Sequence, residues 1–165
     1  MNRRASLSLV MTAILAASSL SIVGPNVAAM AAAQPPAAGP QGVWLDQSGR
    51  AGIDIKPCGD KLCGNIVWLK VPLNAEGKPK LDIHNSDANL QKRPLCGLPL
   101  LWNFSPDGDN AWSDGQIYDP EKGETYSSNM HLKPDGTLSV RGYIGISLLG
   151  RSQIWTRAPA NLGHC

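Results

Sequence analysis

From Ala111 onward the chain alternates apolar and polar residues in short stretches and never settles into a helical repeat. The stretches are Ala111–Asp119, residues 123–133, residues 137–144 and Arg151–Arg157. Between them lie Asp119-Pro-Glu-Lys-Gly123, Lys133-Pro-Asp-Gly136 and the segment 145–150. Short strands closing on tight turns at a spacing of about 8–12 residues predict an antiparallel meander, hence a barrel or a sandwich. On 137–144, Leu138, Val140 and Ile144 are expected to face inward, which sends Arg141 and Tyr143 out.

The first half supplies the remaining strands. Gly42–Leu45 is short and apolar, residues 51–56 alternate, residues 62–70 run through Ile66, Val67 and Trp68, and residues 98–104 are nearly continuous apolar. Between Pro72 and Pro94 the pattern is lost, with room for at most a short helix over residues 87–92. So long a connection in a small domain is more often functional than inert. It carries Asp82, His84 and Asn85, a possible loop site, although solvation and Asx turns explain the same residues.

The first residues change the picture. Asn2-Arg-Arg4 precedes an apolar, Ser- and Ala-rich run over 7–23 and small-residue cleavage choices between Ala29 and Ala33. This reads as a cleaved signal peptide over 1–33, followed by an Ala/Pro-rich tether over 34–41, a barrel domain over 42–158 and a tail over 159–165. The product is expected in the periplasm or outside the cell, with no transmembrane segment once the leader is removed. Losing Arg3 and Arg4 brings the 15 basic residues level with the 13 acidic ones. No cluster of like charges shows along the chain, so neither a nucleic-acid partner nor an anionic membrane surface is indicated.

Four cysteines in an exported chain read first as disulfides. Cys58 and Cys63 bracket a Gly-Asp turn between two strands, which sets them within disulfide reach across a hairpin. Three pairings are formally possible, and the hairpin is the reason to prefer this one. Cys96 and Cys165 would then tie the C-terminus to the middle of the chain. A metal site would need more ligands, and His84, His131 and His164 are all distant in sequence. No metal and no cofactor is expected.

Several motifs now stand in order: Gly42-Val-Trp44, Cys63-Gly-Asn-Ile-Val-Trp-Leu69, Arg93-Pro-Leu-Cys-Gly97, Gly115-Gln-Ile-Tyr-Asp-Pro120, Gly123-Glu-Thr-Tyr126, Arg141-Gly-Tyr-Ile-Gly145 and Gly150-Arg-Ser-Gln-Ile-Trp155. Together they resemble the bacterial exported family called domain of unknown function 2147. The resemblance implies an all-β, up-and-down, lipocalin-like barrel of about eight strands in the cell envelope, and no particular reaction. The chain departs from it at Ser86, where the family commonly has proline. Read from the residues alone, Trp44 on the first strand and Arg157 on the last become neighbours if the meander closes. An Arg stacked on a Trp would then plug one end.

Three functions stay open. Trp44, Trp68, Trp112, Tyr118, Tyr126, Tyr143 and Trp155 can line a cavity for a small apolar or amphipathic molecule, with Arg141 as a polar contact. The same rings can equally fill a small barrel as core. An envelope protein-interaction module is the second reading. The third is an enzyme, for which Asp119 beside Tyr118, Arg141 with Tyr143, and Asp82 near His84 are the available groups. No nucleophile motif, carboxylate pair or phosphate loop accompanies them, so no catalytic residue is named.

Overall fold

The computed structural model describes residues 39–165; the expected leader and most of the tether lie outside them. Eight strands follow in chain order: β1 (Gly42–Leu45), β2 (Ala51–Cys58), β3 (Lys61–Leu69), β4 (Pro99–Pro106), β5 (Ala111–Asp119), β6 (Glu124–Leu132), β7 (Leu138–Tyr143) and β8 (Arg151–Arg157). Each pairs antiparallel with the next, and β8 returns to β1 through Trp44 opposite Arg157, so the barrel closes and leaves no edge. The meander read from the pattern is therefore an up-and-down barrel. The helix allowed over 87–92 does not form; tight turns occupy it, with Leu90 N donating to Asp87 O and Arg93 N to Leu90 O.

The closed end is packed solid. Trp44, Ile55, Leu62, Leu101, Phe104, Met130 and Leu138 are buried there. Left-handed Asn103 (φ 65°) and Asp114 (φ 57°) sit at the register shifts of β4 on β3 and of β5 on β6. Such a residue breaks strict alternation, which allows Leu101 and Phe104, three apart, both to be buried. Gly115 makes room for the second of these, since a Cβ there would come within 2.3 Å of the Phe104 ring. The expected end plug is present. Arg157 Cζ lies 4.0 Å from the centroid of the Trp44 ring, and the Trp44 indole N–H donates to Pro40 O at 2.7 Å.

Both expected disulfides form, Cys58–Cys63 beside the β2–β3 turn and Cys96–Cys165 across a sequence separation of 69. The second holds the tail over 159–165 against β3, where Cys165 N also donates to Val67 O at 2.9 Å.

A β-bulge between Gly52 and Ile53 decides the fate of Trp68. Beyond it Gly52 pairs with Trp68, while Ile53 pairs with Ile66. The missing Gly52 side chain leaves space that Trp68 Cβ and Leu162 of the tail approach to 3.1 Å. Trp68 is thus half-buried beside the tail.

Candidate functional site: a cavity at the open end of the barrel

The opposite end of the barrel is hollow. A cavity of about 1130 Å³ opens between the β1–β2, β3–β4, β5–β6 and β7–β8 connections. Sites for drug-sized ligands span about 300–1,000 Å³, so this one is large. Its wall is mainly apolar: Ile53, Ile66, Leu100, Ile117, Val140 and Trp155. Strand alternation brings them there, as on β8, where Gln153 and Trp155 share one face and the Trp155 indole N–H donates to Gln153 Oε1 at 2.8 Å.

The expected ring residues divide. Tyr118, Tyr126 and Trp155 line the cavity, whereas Tyr143 borders only its mouth: strand parity sends its ring outward, and its hydroxyl donates to Asn129 Oδ1 at 3.4 Å. Trp44 is used by the plug, Trp68 lies beside the tail, and Trp112 borders a separate hollow of about 290 Å³ with Pro57, Leu62 and Pro106. Arg141 is not in the wall either. It points outward as strand parity predicts, and its guanidinium is engaged: Nε donates to Ser147 O (2.8 Å), one terminal nitrogen to Ser152 Oγ (2.9 Å), the other to Leu148 O (3.1 Å). Arg141 is a brace for the β7–β8 loop. Ile144, expected inside with Leu138 and Val140, is mostly exposed at the mouth because β7 ends at Tyr143 and the chain turns through Gly145 (φ 71°).

The loop residues divide too. Asp82 is fully buried and Asn85 nearly so, whereas the His84 side chain is exposed. Asp82 accepts from the Tyr118 hydroxyl at 2.6 Å, from Asn85 Nδ2 at 2.8 Å and from Arg93 Nε at 2.9 Å, with a second Arg93 nitrogen at 2.8 Å. A buried carboxylate so fully partnered is a structural pin: it fastens the long β3–β4 connection to β5. Asn85 N also donates to Asp82 O, which shapes the turn before Ser86. Behind it, a Cβ on Gly123 (φ 71°) would fall 1.7 Å from His84 O, so the connection rests directly on the β5–β6 turn.

These contacts set the electrostatics of the cavity. Burial and the adjoining Asp82 carboxylate both push the Tyr118 hydroxyl above its ordinary pKa, which keeps it neutral and a donor. Tyr126 is pushed up as well, first by its hydrogen bond to Glu124 and then by burial. Neither phenol is set up as a base or nucleophile.

The rim corrects the charge reading. Arg50, Lys70, Lys80, Lys122 and Arg151 all line the cavity mouth, against three carboxylates, Asp46, Asp119 and Glu121. Arg50 pairs with Glu121 at 2.7 Å, Lys122 lies 4.0 Å from Asp119, and Asp46 accepts from Arg50 N and Ala51 N in its own turn. Lys70, Lys80 and Arg151 make no ion pair among the described residues. The cavity mouth thus carries a basic excess. The linear sequence conceals it because Lys70 and Lys80 come from the β3–β4 connection and Arg151 from the start of β8.

Residues 42–157, the whole barrel from β1 through β8, match a family described as an uncharacterized protein conserved in bacteria, DUF2147. The chain belongs to this family. The fold is similar to that of a Helicobacter pylori protein described as belonging to the lipocalin family. The two share 18% identity and a TM-score of 0.63, over 73% of this chain and 83% of that one. No curated protein matches the chain. The lipocalin-like barrel inferred from the motifs thus stands. Among the described residues no cluster of His, Cys, Asp and Glu is placed to hold a metal ion.

Proposed function

We propose that this DUF2147 protein is a binding protein that takes a small apolar or amphipathic molecule into the open half of its barrel and performs no chemistry on it. The cavity carries the proposal: it is large, continuous with solvent at one end, and walled by aliphatic and aromatic side chains. The apolar part of the ligand lies against Ile53, Ile66, Ile117, Val140 and Trp155. Its polar end meets Tyr126 near the mouth, where Lys70, Lys80 and Arg151 favour an anionic group over a cationic one.

The working place we propose is the periplasm or the cell exterior. Two disulfides in a bacterial protein are consistent with an oxidising compartment, where they form and persist.

Native mass spectrometry of protein purified from its own cells is the direct test, followed by thermal melts against fatty acids and other amphipathic compounds. A ligand at 100 times its Kd stabilises the folded state by about 2.7 kcal/mol. Ile117→Trp, which narrows the cavity at its wall, reduces that shift while keeping the fold. If no compound raises the melting temperature and Ile117→Trp behaves like the parent, the carrier reading gives way to the protein-interaction one.

A further inference from the structure

The β7–β8 connection carries four aliphatic side chains that stand exposed among the described residues: Ile144 (74% exposed), Ile146 (59%), Leu148 (83%) and Leu149 (77%). Ordinary surface loops hold one such residue at a time; four on one short connection mark a surface that meets something apolar. We propose that this end of the barrel docks on a lipid bilayer bearing anionic headgroups, with the β7–β8 loop entering the headgroup–acyl boundary.

Three further observations select a bilayer as the occupant. The first is charge. Arg151 follows the loop directly, and Lys70 and Lys80 share the same rim, all without an ion-pair partner among the described residues. An apolar loop on a rim with five cations against three carboxylates matches a membrane whose surface is negative and whose interior is hydrocarbon.

The second is the state of the loop backbone. A segment that enters the boundary must have its carbonyls satisfied from within the protein. Ile146 O accepts from Leu149 N, Ser147 O accepts from Gly150 N and Arg141 Nε, and Leu148 O accepts from Arg141. Arg141 stands on the outer face of β7, so it supports the 3₁₀ turn over Ser147–Leu149 without occupying the aliphatic surface. No side chain of the turn is buried, so the aliphatic groups are held outward on a braced backbone.

The third is position. Ile144 and Leu149 belong both to this surface and to the cavity wall. An apolar molecule leaving the bilayer would therefore enter the cavity without crossing water. That last consequence rests on the carrier reading. The docking does not.

The test is co-sedimentation of protein purified from its own cells with vesicles of phosphatidylcholine alone and of phosphatidylcholine mixed with phosphatidylglycerol. The I146D/L148D double variant and the K70Q/K80Q/R151Q triple variant, prepared in the same way, are measured beside it. The parent is expected to bind the anionic vesicles, more weakly in high salt. I146D/L148D is expected to bind about tenfold less or worse. The triple variant is expected to lose its preference for phosphatidylglycerol, each removed cation weakening binding roughly fivefold. Ile146 and Leu148 are exposed and lie outside the cavity wall, so the double variant should melt with the parent and still stabilise with whatever ligand the cavity takes. Absence of parent binding to anionic vesicles overturns the proposal, as does equal binding by I146D/L148D. Neither result touches ligand binding in the cavity.

Discussion

Arg157 on the last strand stacks on Trp44 of the first, 4.0 Å from the ring centroid, and donates to the carbonyls of Gly39 and Gln41. One guanidinium thereby joins the two ends of the sheet and lids the packed end of the core. Its burial disfavours the charged form and draws the pKa down, and the ring face and carbonyls offset that cost. Arg157→Ala should lower stability by about 2–3 kcal/mol in urea denaturation. Arg157→Lys, which keeps the charge but loses the planar fork, should fall between the two. A neutral Arg157→Ala would show that β1 and β8 close without the plug.

The two disulfides close loops of very different length, and their removal should separate accordingly. On the chain-entropy account, opening Cys96–Cys165 costs about 4 kcal/mol and opening Cys58–Cys63 about 2 kcal/mol. Cys165→Ser paired with Cys96→Ser should therefore move the denaturation midpoint further than the Cys58 and Cys63 pair. The reverse order would mean that the tail adds little and the β2–β3 hairpin is the weaker element.

Tyr118 should make the protein sensitive to alkali. Its folded pKa lies above the ordinary value of 10.0, whereas in the unfolded chain it titrates near that value. The associated stability is fully present below about pH 10 and declines as pH rises towards the folded pKa, because the unfolded phenol ionises first. Tyr118→Phe should cost about 1 kcal/mol at neutral pH and flatten the fall in urea midpoint above pH 10. Identical slopes in the parent and Tyr118→Phe would refute the assignment. Tyr126, raised chiefly by Glu124, contributes to the parent slope in both proteins and cancels.

Gly123 should be close to irreplaceable. Alanine there meets both a left-handed φ of 71° and the His84 carbonyl. Gly123→Ala should cost about 2–3 kcal/mol and free the long connection for cleavage by protease between Pro72 and Pro94. Gly136 (φ 80°), with nothing near its missing Cβ, is the control. Its alanine variant should lose only the backbone contribution, about 1 kcal/mol, with the connection still protected.

Strand pattern is a local property, and it was legible. Ala111–Asp119, Arg151–Arg157 and Gly42–Leu45 were read to the residue, because alternation is written in neighbouring positions and the turns carry their own Gly, Pro and Asp. The Cys58–Cys63 hairpin is local in the same sense. So is the outward direction of Arg141, which follows from strand parity once Leu138 and Val140 are set inside.

What a side chain does once it points somewhere depends on residues far along the chain, and only the closed barrel decided it. Trp68 follows Ile66 at the inward spacing, yet the Gly52–Ile53 bulge pairs it with Gly52 beside the tail. Asp82 and His84 are two residues apart. One is a buried pin and the other is exposed, because Tyr118 and Arg93, each more than ten positions away, close on Asp82 alone. Lys70, Lys80 and Arg151 look scattered in a chain balanced in charge, yet all three line one cavity mouth, the first two from the β3–β4 connection and the third from the start of β8. The pattern places Ile144 inside and marks the segment 145–150 only as a turn, yet Ile144, Ile146, Leu148 and Leu149 are exposed together. An aliphatic residue reads the same in a core and at a mouth until the barrel has closed around one and left the other in the open.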